Sequence, residues 1–207
     1  AEIVQYIKNN GYERCYTRMQ RSIAERFGYI ILSQDINAVS LIRFRTTNGK
    51  IGYLSHDGKV VVEAQYDIKA YTGLDIPSIH SDDVFECSTK RGVAMVVKDN
   101  KLGIINSRGE LIVPTTYSDI AFLDNEIMCV VTQSSDSEQR TNYLCDIYDY
   151  KGTKVAEGRN YKVGPGVADY NTWDTSWFNR AVSIRDLDDV WEKNIYVDSK
   201  FIGTAYG

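Results

Sequence analysis

Histidine is nearly missing from this chain: its 207 residues hold two, His56 and His80. Cysteine is sparse as well. Cys15, Cys87, Cys129 and Cys145 form no Cys-x-x-Cys pair and sit near neither histidine, so a zinc site has no foothold. No run of about 18 apolar residues occurs, which removes a helical membrane span. The glycine-rich phosphate cradles are missing too. VGPGVAD, Val163 to Asp169, offers two glycines around Pro165 but no G-x-G-x-x-G and no Lys-Ser/Thr, so it reads as a loop. There is no Gly-x-Ser-x-Gly elbow. A net charge of −4 gives no general pull toward nucleic acid. The opening AEIVQYIKNN lacks the basic-then-apolar pattern of a secretory leader.

What is present is ordinary for a globular protein: 43% hydrophobic and 25% charged residues, a length that supports one large domain or two small ones. At this size roughly 70% of the unfolded surface can be buried, enough for a core without covalent staples. The four cysteines would allow two disulfides. Cys129 and Cys145 fall in apolar runs, however, where a thiol behaves as a small hydrophobe, and buried thiols in a reducing compartment are the expectation. The charge is uneven. Residues 1 to 45 carry seven Lys/Arg (Lys8, Arg14, Arg18, Arg21, Arg26, Arg43, Arg45) against four acids, or +3, leaving −7 for the rest. A basic docking face and a solvated helix surface both fit that excess; the second is the default.

Gly11 to Phe27 reads as an α-helix. Tyr12, Tyr16, Met19, Ile23 and Phe27 recur at spacings of three and four, the arginines take the other face, and Gly28 is placed to stop it. Beyond it the texture becomes short β-rich runs broken by Asp, Asn and Gly. KIGYLSHDGKVVVEAQYDIK, from Lys50, is written again as KLGIINSRGELIVPTTYSDI, from Lys101. Each copy is a strand, a tight turn and a returning strand, with Gly58 or Gly109 where the turn needs positive φ. Asn48-Gly49 and Asp99-Asn100 mark an earlier turn, and LIRFRT (Leu41 to Thr46) and GVAMVV (Gly92 to Val97) mark the strands before it. Each unit is therefore a three-stranded antiparallel meander. YLCDIYDYKGTKVA (Tyr143 to Ala156), with Gly152 in its turn, is a third copy, and RAVSIRDLDDVWEKNIYVDSKFIGTA (Arg180 to Ala205) a fourth that has lost its turn glycine.

The pattern K-x-G-[YI]-[IL]-x-x-x-G-[KE]-x-[VI]-[VI]-P-x-x-Y-x-x-I resembles that of the WG-repeat family of bacterial proteins. Lys101, Gly103, Ile104, Ile105, Gly109, Glu110, Ile112, Pro114, Tyr117 and Ile120 match it, and Lys50, Gly52, Tyr53, Leu54, Gly58, Lys59, Val62 and Tyr66 match less completely. RGVAMVV and FNRAVSI look like the family's preceding strand. The namesake Trp is Ile51 and Leu102 here, and Glu63 replaces the Pro of the first copy. The resemblance implies a β-repeat scaffold, commonly part of a larger protein and usually without an assigned activity. It sets the expected fold: mainly β, repeated three-stranded meanders in a propeller-like or curved open stack, with one N-terminal helix. The expected division is residues 1–40 (helix and connecting strand) and a repeat domain over 41–207, with units near 41–90, 91–140, 141–178 and 179–207. Gly52, Gly58, Gly103, Gly109 and Gly152 are expected as its turn glycines.

Chemistry-bearing residues are few. His56 sits at a predicted turn tip beside Asp57. His80 lies in a long connection with Ser78, Ser81, Asp75, Asp82 and Asp83, but neighbours in sequence rarely build a triad. Asp186, Asp188 and Asp189 resemble half of a calcium loop whose sixth-position Gly and twelfth-position Glu are missing. SSDSEQRTN, Ser134 to Asn142, is a polar hairpin loop. The segment ADYNTWDTSWFNRA brings Tyr170, Trp173 and Trp177 among polar residues, and with Trp191 this region holds every tryptophan of the chain. Such aromatics serve as a binding surface or as a local core. The expected function is a non-catalytic scaffold that binds another protein, in an adaptor or immunity-like role in a bacterial cell, with no cofactor, no metal and no nucleic acid. A hydrolase using loop carboxylates and a glycan-binding module at the cell surface are the alternatives. A cytoplasmic location is expected, or a periplasmic or secreted one if a signal peptide has been removed.

Overall fold

A computed structural model of the chain describes residues 9, 26–33, 36–68, 85–89, 91–131, 144–165, 192–198 and 200–206. The fold is mainly β, in antiparallel sheets. Thirteen strands are described: β1 Tyr29–Ile31, β2 Ile42–Thr46, β3 Ile51–Leu54, β4 Val60–Tyr66, β5 Val93–Lys98, β6 Lys101–Asn106, β7 Leu111–Tyr117, β8 Asp119–Phe122, β9 Ile127–Val131, β10 Leu144–Tyr148, β11 Lys154–Pro165, β12 Glu192–Val197 and β13 Lys200–Tyr206. The helix expected over Gly11 to Phe27 lies, but for Arg26 and Phe27, outside the described residues. Gly28 follows with φ +74°, a conformation that stops a helix.

The chain divides into two compact units, one of residues 1–72 and 82–115, the other of 73–81 and 116–207. The first holds a four-stranded sheet, β1-β2-β3-β4, and most of a three-stranded one, β5-β6-β7. Strand alternation sorts its apolar residues onto two faces. Ile31, Ile42, Phe44 and Leu54 share one cluster with Ile36 and Val39. Leu41, Ile51, Tyr53, Val62 and Tyr66 meet Ala94, Val96 and Ile105 of the second sheet in another. The first sheet is thus covered on both sides, and each buried large side chain contributes about 1.5–3 kcal/mol.

The turns explain the strand spacing. After β3, Ser55 N–H donates to the Lys59 carbonyl and Gly58 N–H to the Ser55 carbonyl, each at 2.9 Å. After β6, Asn106 and Gly109 make the same two bonds with Glu110 and Asn106; after β10, Asp149 and Gly152 make them with Thr153 and Asp149. The closing glycines have φ of +80°, +80° and +89°. The first turn residue also caps its own loop: Asn106 Oδ1 accepts from Arg108 and Glu110 N–H, and Asp149 Oδ1 from Lys151 and Thr153 N–H. Between β5 and β6, Asp99 (φ 51°) and Asn100 (φ 60°) both take left-handed conformations, as a two-residue hairpin requires. Between β12 and β13 the left-handed position falls on Asp198, φ 47°, where the glycine is lost.

Gly52 and Gly103, grouped with the turn glycines on sequence, are not in turns. They lie inside β3 and β6. A Cβ on Gly52 would stand 2.6 Å from the Val62 carbonyl oxygen and 2.5 Å from the Phe44 ring, and on Gly103 2.7 Å from the Val113 carbonyl oxygen. These glycines admit the returning strand at close range. Val62 and Val113 are themselves equivalent residues of the doubled sequence, 51 positions apart.

The second unit is a single six-stranded sheet in the order β13-β12-β11-β10-β9-β8, curled into a half-barrel. The curl brings β13 back to the far edge, where a Cβ on Gly203 would approach Leu123 to 3.3 Å. The inner face is apolar: Ala121, Leu123, Met128, Val130, Cys145, Ile147, Tyr161, Ile195 and Val197. Cys87, Cys129 and Cys145 are free and buried. Cys145 stands opposite Val130 and Cys129 opposite Asp146, so these two thiols project from opposite faces of the sheet and cannot bridge one another.

Gly109 gives a clean test of the turn geometry. Its Cβ would lie 2.6 Å from Val62 Cγ2 and 2.7 Å from Val61 Cγ1, in addition to the left-handed backbone, whereas Gly49 has the same sign of φ and open space. Gly49→Ala should cost about 1–2 kcal/mol from backbone strain alone. Gly109→Ala should add about 1–3 kcal/mol for overpacking, read as a lower midpoint in urea unfolding.

Candidate functional site

The repeat spacing itself points to one residue. Gly52 and Gly103 each precede a turn glycine (Gly58, Gly109) by six positions; six before Gly152 stands Asp146. A carboxylate thus occupies the place where two earlier hairpins require a bare backbone. The neighbouring strand is rebuilt around it. From turn glycine to the buried tyrosine that ends the returning strand is eight residues in two hairpins (58 to 66, 109 to 117) and nine in the third (152 to 161). The β10–β11 register shifts beside Asp146, as the β3–β4 register does beside Gly52, and here Gly158 turns left-handed with φ +59°.

Asp146 is 5% exposed. Its Oδ1 accepts from Gly158 N–H at 2.9 Å, and its Oδ2 accepts from Tyr117 Oη at 2.6 Å and pairs with Lys154 Nζ at 3.1 Å. Tyr117 Oη also lies 2.8 Å from Tyr148 Oη. With the Tyr117 proton committed to the carboxylate, Tyr148 is the donor of that second bond. The two rings meet edge to face at 6.0 Å, and the Lys154 ammonium sits 5.7 Å from the Tyr148 ring centre. Lys154 also reaches Glu157 at 3.2 Å.

Every buried oxygen of the carboxylate is therefore satisfied, which is the condition for keeping a charge inside a fold. Burial pushes the Asp146 pKa up, but the bonds from Tyr117, Gly158 and Lys154 outweigh it and hold the carboxyl below its usual value. Burial, then the bonds to Asp146 and Tyr148, raises Tyr117 far above an ordinary phenol. Asp146 and then Glu157 raise Lys154. All three groups are moved away from neutrality, so the cluster stores charge and fixes geometry; it is not tuned to exchange protons near pH 7. The thiols are likewise quiet. Burial lifts Cys87 to about 11 and Cys145 to about 12, so neither is a thiolate nucleophile at neutral pH.

A second feature repeats along the hairpins. Among the described residues the exposed large hydrophobic ones are Val60, Val61, Leu111, Val155 and Phe201, between 37% and 53% exposed. Val61 and Val155 stand three residues past a turn glycine, Phe201 three past the left-handed Asp198, and Val60 and Leu111 two past a turn glycine. Four hairpins, β3–β4, β6–β7, β10–β11 and β12–β13, thus begin their returning strand with an apolar side chain partly in water.

Of the residues singled out on sequence, Tyr170, Trp173, Trp177 and Trp191 lie outside the described residues, as do His80, its neighbouring serines and aspartates, and Asp186, Asp188 and Asp189. His56 is exposed in its turn, with Nε2 2.6 Å from the Val39 carbonyl oxygen. Among the described residues no His, Cys, Asp or Glu group is arranged to hold a metal. None of their helices is long and apolar enough to cross a membrane.

Asp146→Asn should lower stability by about 1.5–3 kcal/mol, because Tyr117 and Gly158 lose their anionic acceptor while the part-exposed Lys154 keeps Glu157, and Tyr117→Phe by about 1.5–3 kcal/mol. The depressed carboxyl sets the sign with pH. Its contribution is complete above the ordinary carboxylate range and is lost as pH falls through the lower folded-state value. Acid unfolding of the wild type should therefore show a step that the Asn variant lacks, measured by circular dichroism between about pH 5 and 2. No protein-family model, no curated protein and no solved structure matches this chain.

Proposed function

We propose that the chain is a non-catalytic scaffold that binds another protein, built of repeated three-stranded antiparallel meanders in the manner of WG-repeat proteins and preceded by the helix expected over Gly11 to Phe27. The observation that carries this reading is the recurrence of exposed apolar side chains at the start of the returning strands. Single exposed hydrophobics are common on any surface. Here they fall two or three residues past the turn in four hairpins, Val60, Val61 and Leu111 in the first unit and Val155 and Phe201 in the second, so that each unit offers a partner its own apolar side chains. The flanking surface has a net charge of −7 beyond residue 45, which suits a basic partner. An adaptor or immunity-like role in a bacterial cell is the corresponding biology, and three buried free thiols favour a reducing compartment.

The hydrolase reading has weaker support. Asp146, one of two carboxylates buried to 5% exposure among the described residues, is saturated by three donors and held ionised. The glycan-binding reading rests on tryptophans outside the described residues.

Val61, Leu111, Val155 and Phe201 replaced together by lysine should leave the fold within about 0.5 kcal/mol per site, since these positions are solvent-facing. The same variant should lose every partner that the wild type captures specifically from its native cell extract. Retention of those partners would remove the hairpin surface as the binding face.

A further inference from the structure

We propose that Arg43, supported by Arg45, is a seat for a carboxylate. Arg43 stands in the middle of β2 and keeps 8% exposure, yet its Nε makes no hydrogen bond. Its backbone is fully engaged: the N–H donates to Ser33 Oγ and the carbonyl accepts from Leu32. Its guanidinium, by contrast, forms no ion pair among the described residues. What it does touch is an aromatic face, with its central carbon 5.1 Å from the Phe85 ring centre. Tyr53, directly opposite on β3, turns its hydroxyl to the Phe85 carbonyl at 3.0 Å and makes no bond with Arg43 Nε.

A mostly buried guanidinium without an acceptor is costly, and folds keep buried charges paired. Asp146 shows how this chain treats a charge it uses structurally: three donors close around it. Arg43 receives none. Strand alternation places Arg45 on the same face, about 7 Å along the strand, and among the described residues it too makes no side-chain hydrogen bond or ion pair. Two of the seven basic residues of the first 45 thus stand together here, neither of them in an ion pair with a described residue. The geometry of the guanidinium decides the ligand class. Nε is buried, so the two terminal nitrogens form the edge that can grip a planar carboxylate with two parallel bonds, while the Phe85 ring holds the plane. The carboxylate is either a free small molecule or a side chain or terminus of a polypeptide.

The test is thermal unfolding of the full chain at constant ionic strength. Acetate and, separately, a tetraglutamate peptide replace chloride, with inorganic phosphate as the competing anion. A saturable rise in midpoint with acetate identifies a small-molecule seat; a rise with the peptide alone identifies a polypeptide partner. In either case Arg43→Met should weaken the response at least ten-fold while remaining folded by circular dichroism, since it removes a buried unpaired charge. Should Arg43→Met not fold, Arg43→Lys, which keeps the charge and loses the fork, should weaken the response at least five-fold. The proposal is overturned if neither carboxylate differs from chloride, if phosphate outcompetes both, or if the substituted protein responds like the wild type.

Discussion

Two carbonyl oxygens, those of Val62 and Val113, lie where a side chain on Gly52 or Gly103 would have to begin. Much of the architecture depends on this crowding. It lets the returning strand of each hairpin cross its partner closely, and it puts Tyr66 and Tyr117 at the same depth in the interior. Strand burial then repeats almost residue for residue: in β4 and β7 the third and seventh positions are buried, and those between them are exposed or half-exposed. A bare backbone inside a strand loses packing and entropy, and the recovered interest is the tight crossing itself.

Where that crowding is relieved, the chain changes character. Asp146 takes the glycine's place, β11 lengthens by one residue, and a charge enters the interior with its own escort of donors. The escort includes Tyr117, the closing tyrosine of the preceding hairpin, so one side chain serves the register of one hairpin and the electrostatics of the next. Arg43 is the opposite case, a buried charge that the surrounding strands leave open. The contrast is informative because both sit mid-strand in otherwise apolar surroundings, where an unsatisfied polar atom is rare and asks for an explanation.

The turns were legible in the residues because their chemistry is local. Gly58, Gly109 and Gly152 follow Asp, Arg and Lys in short polar breaks between alternating runs, and only a left-handed residue closes those loops. The β character of the chain was equally plain from its short alternating runs. Gly52 and Gly103 were misplaced because glycine has two separate uses, unusual φ and missing volume, and the second depends on a strand eight to twelve residues away. Asp146 went unread for a related reason. A lone acid in YLCDIYDY looks like the polar half of an alternating strand, and only its position six before a turn glycine marks it as an intruder. Asp198 carried no signal as a substitute for glycine beyond the general tolerance of Asp for left-handed conformations.

β11 has one more consequence. Its first half, Lys154 to Asn160, pairs with β10, and its second half, Tyr161 to Pro165, pairs with β12. A single continuous backbone therefore belongs to two ladders in succession, with the left-handed Gly158 just before the exchange. Neither hairpin can open without loosening a strand that the other needs. The second unit should consequently melt as one cooperative block, its amides sharing a common opening free energy on both sides of Tyr161.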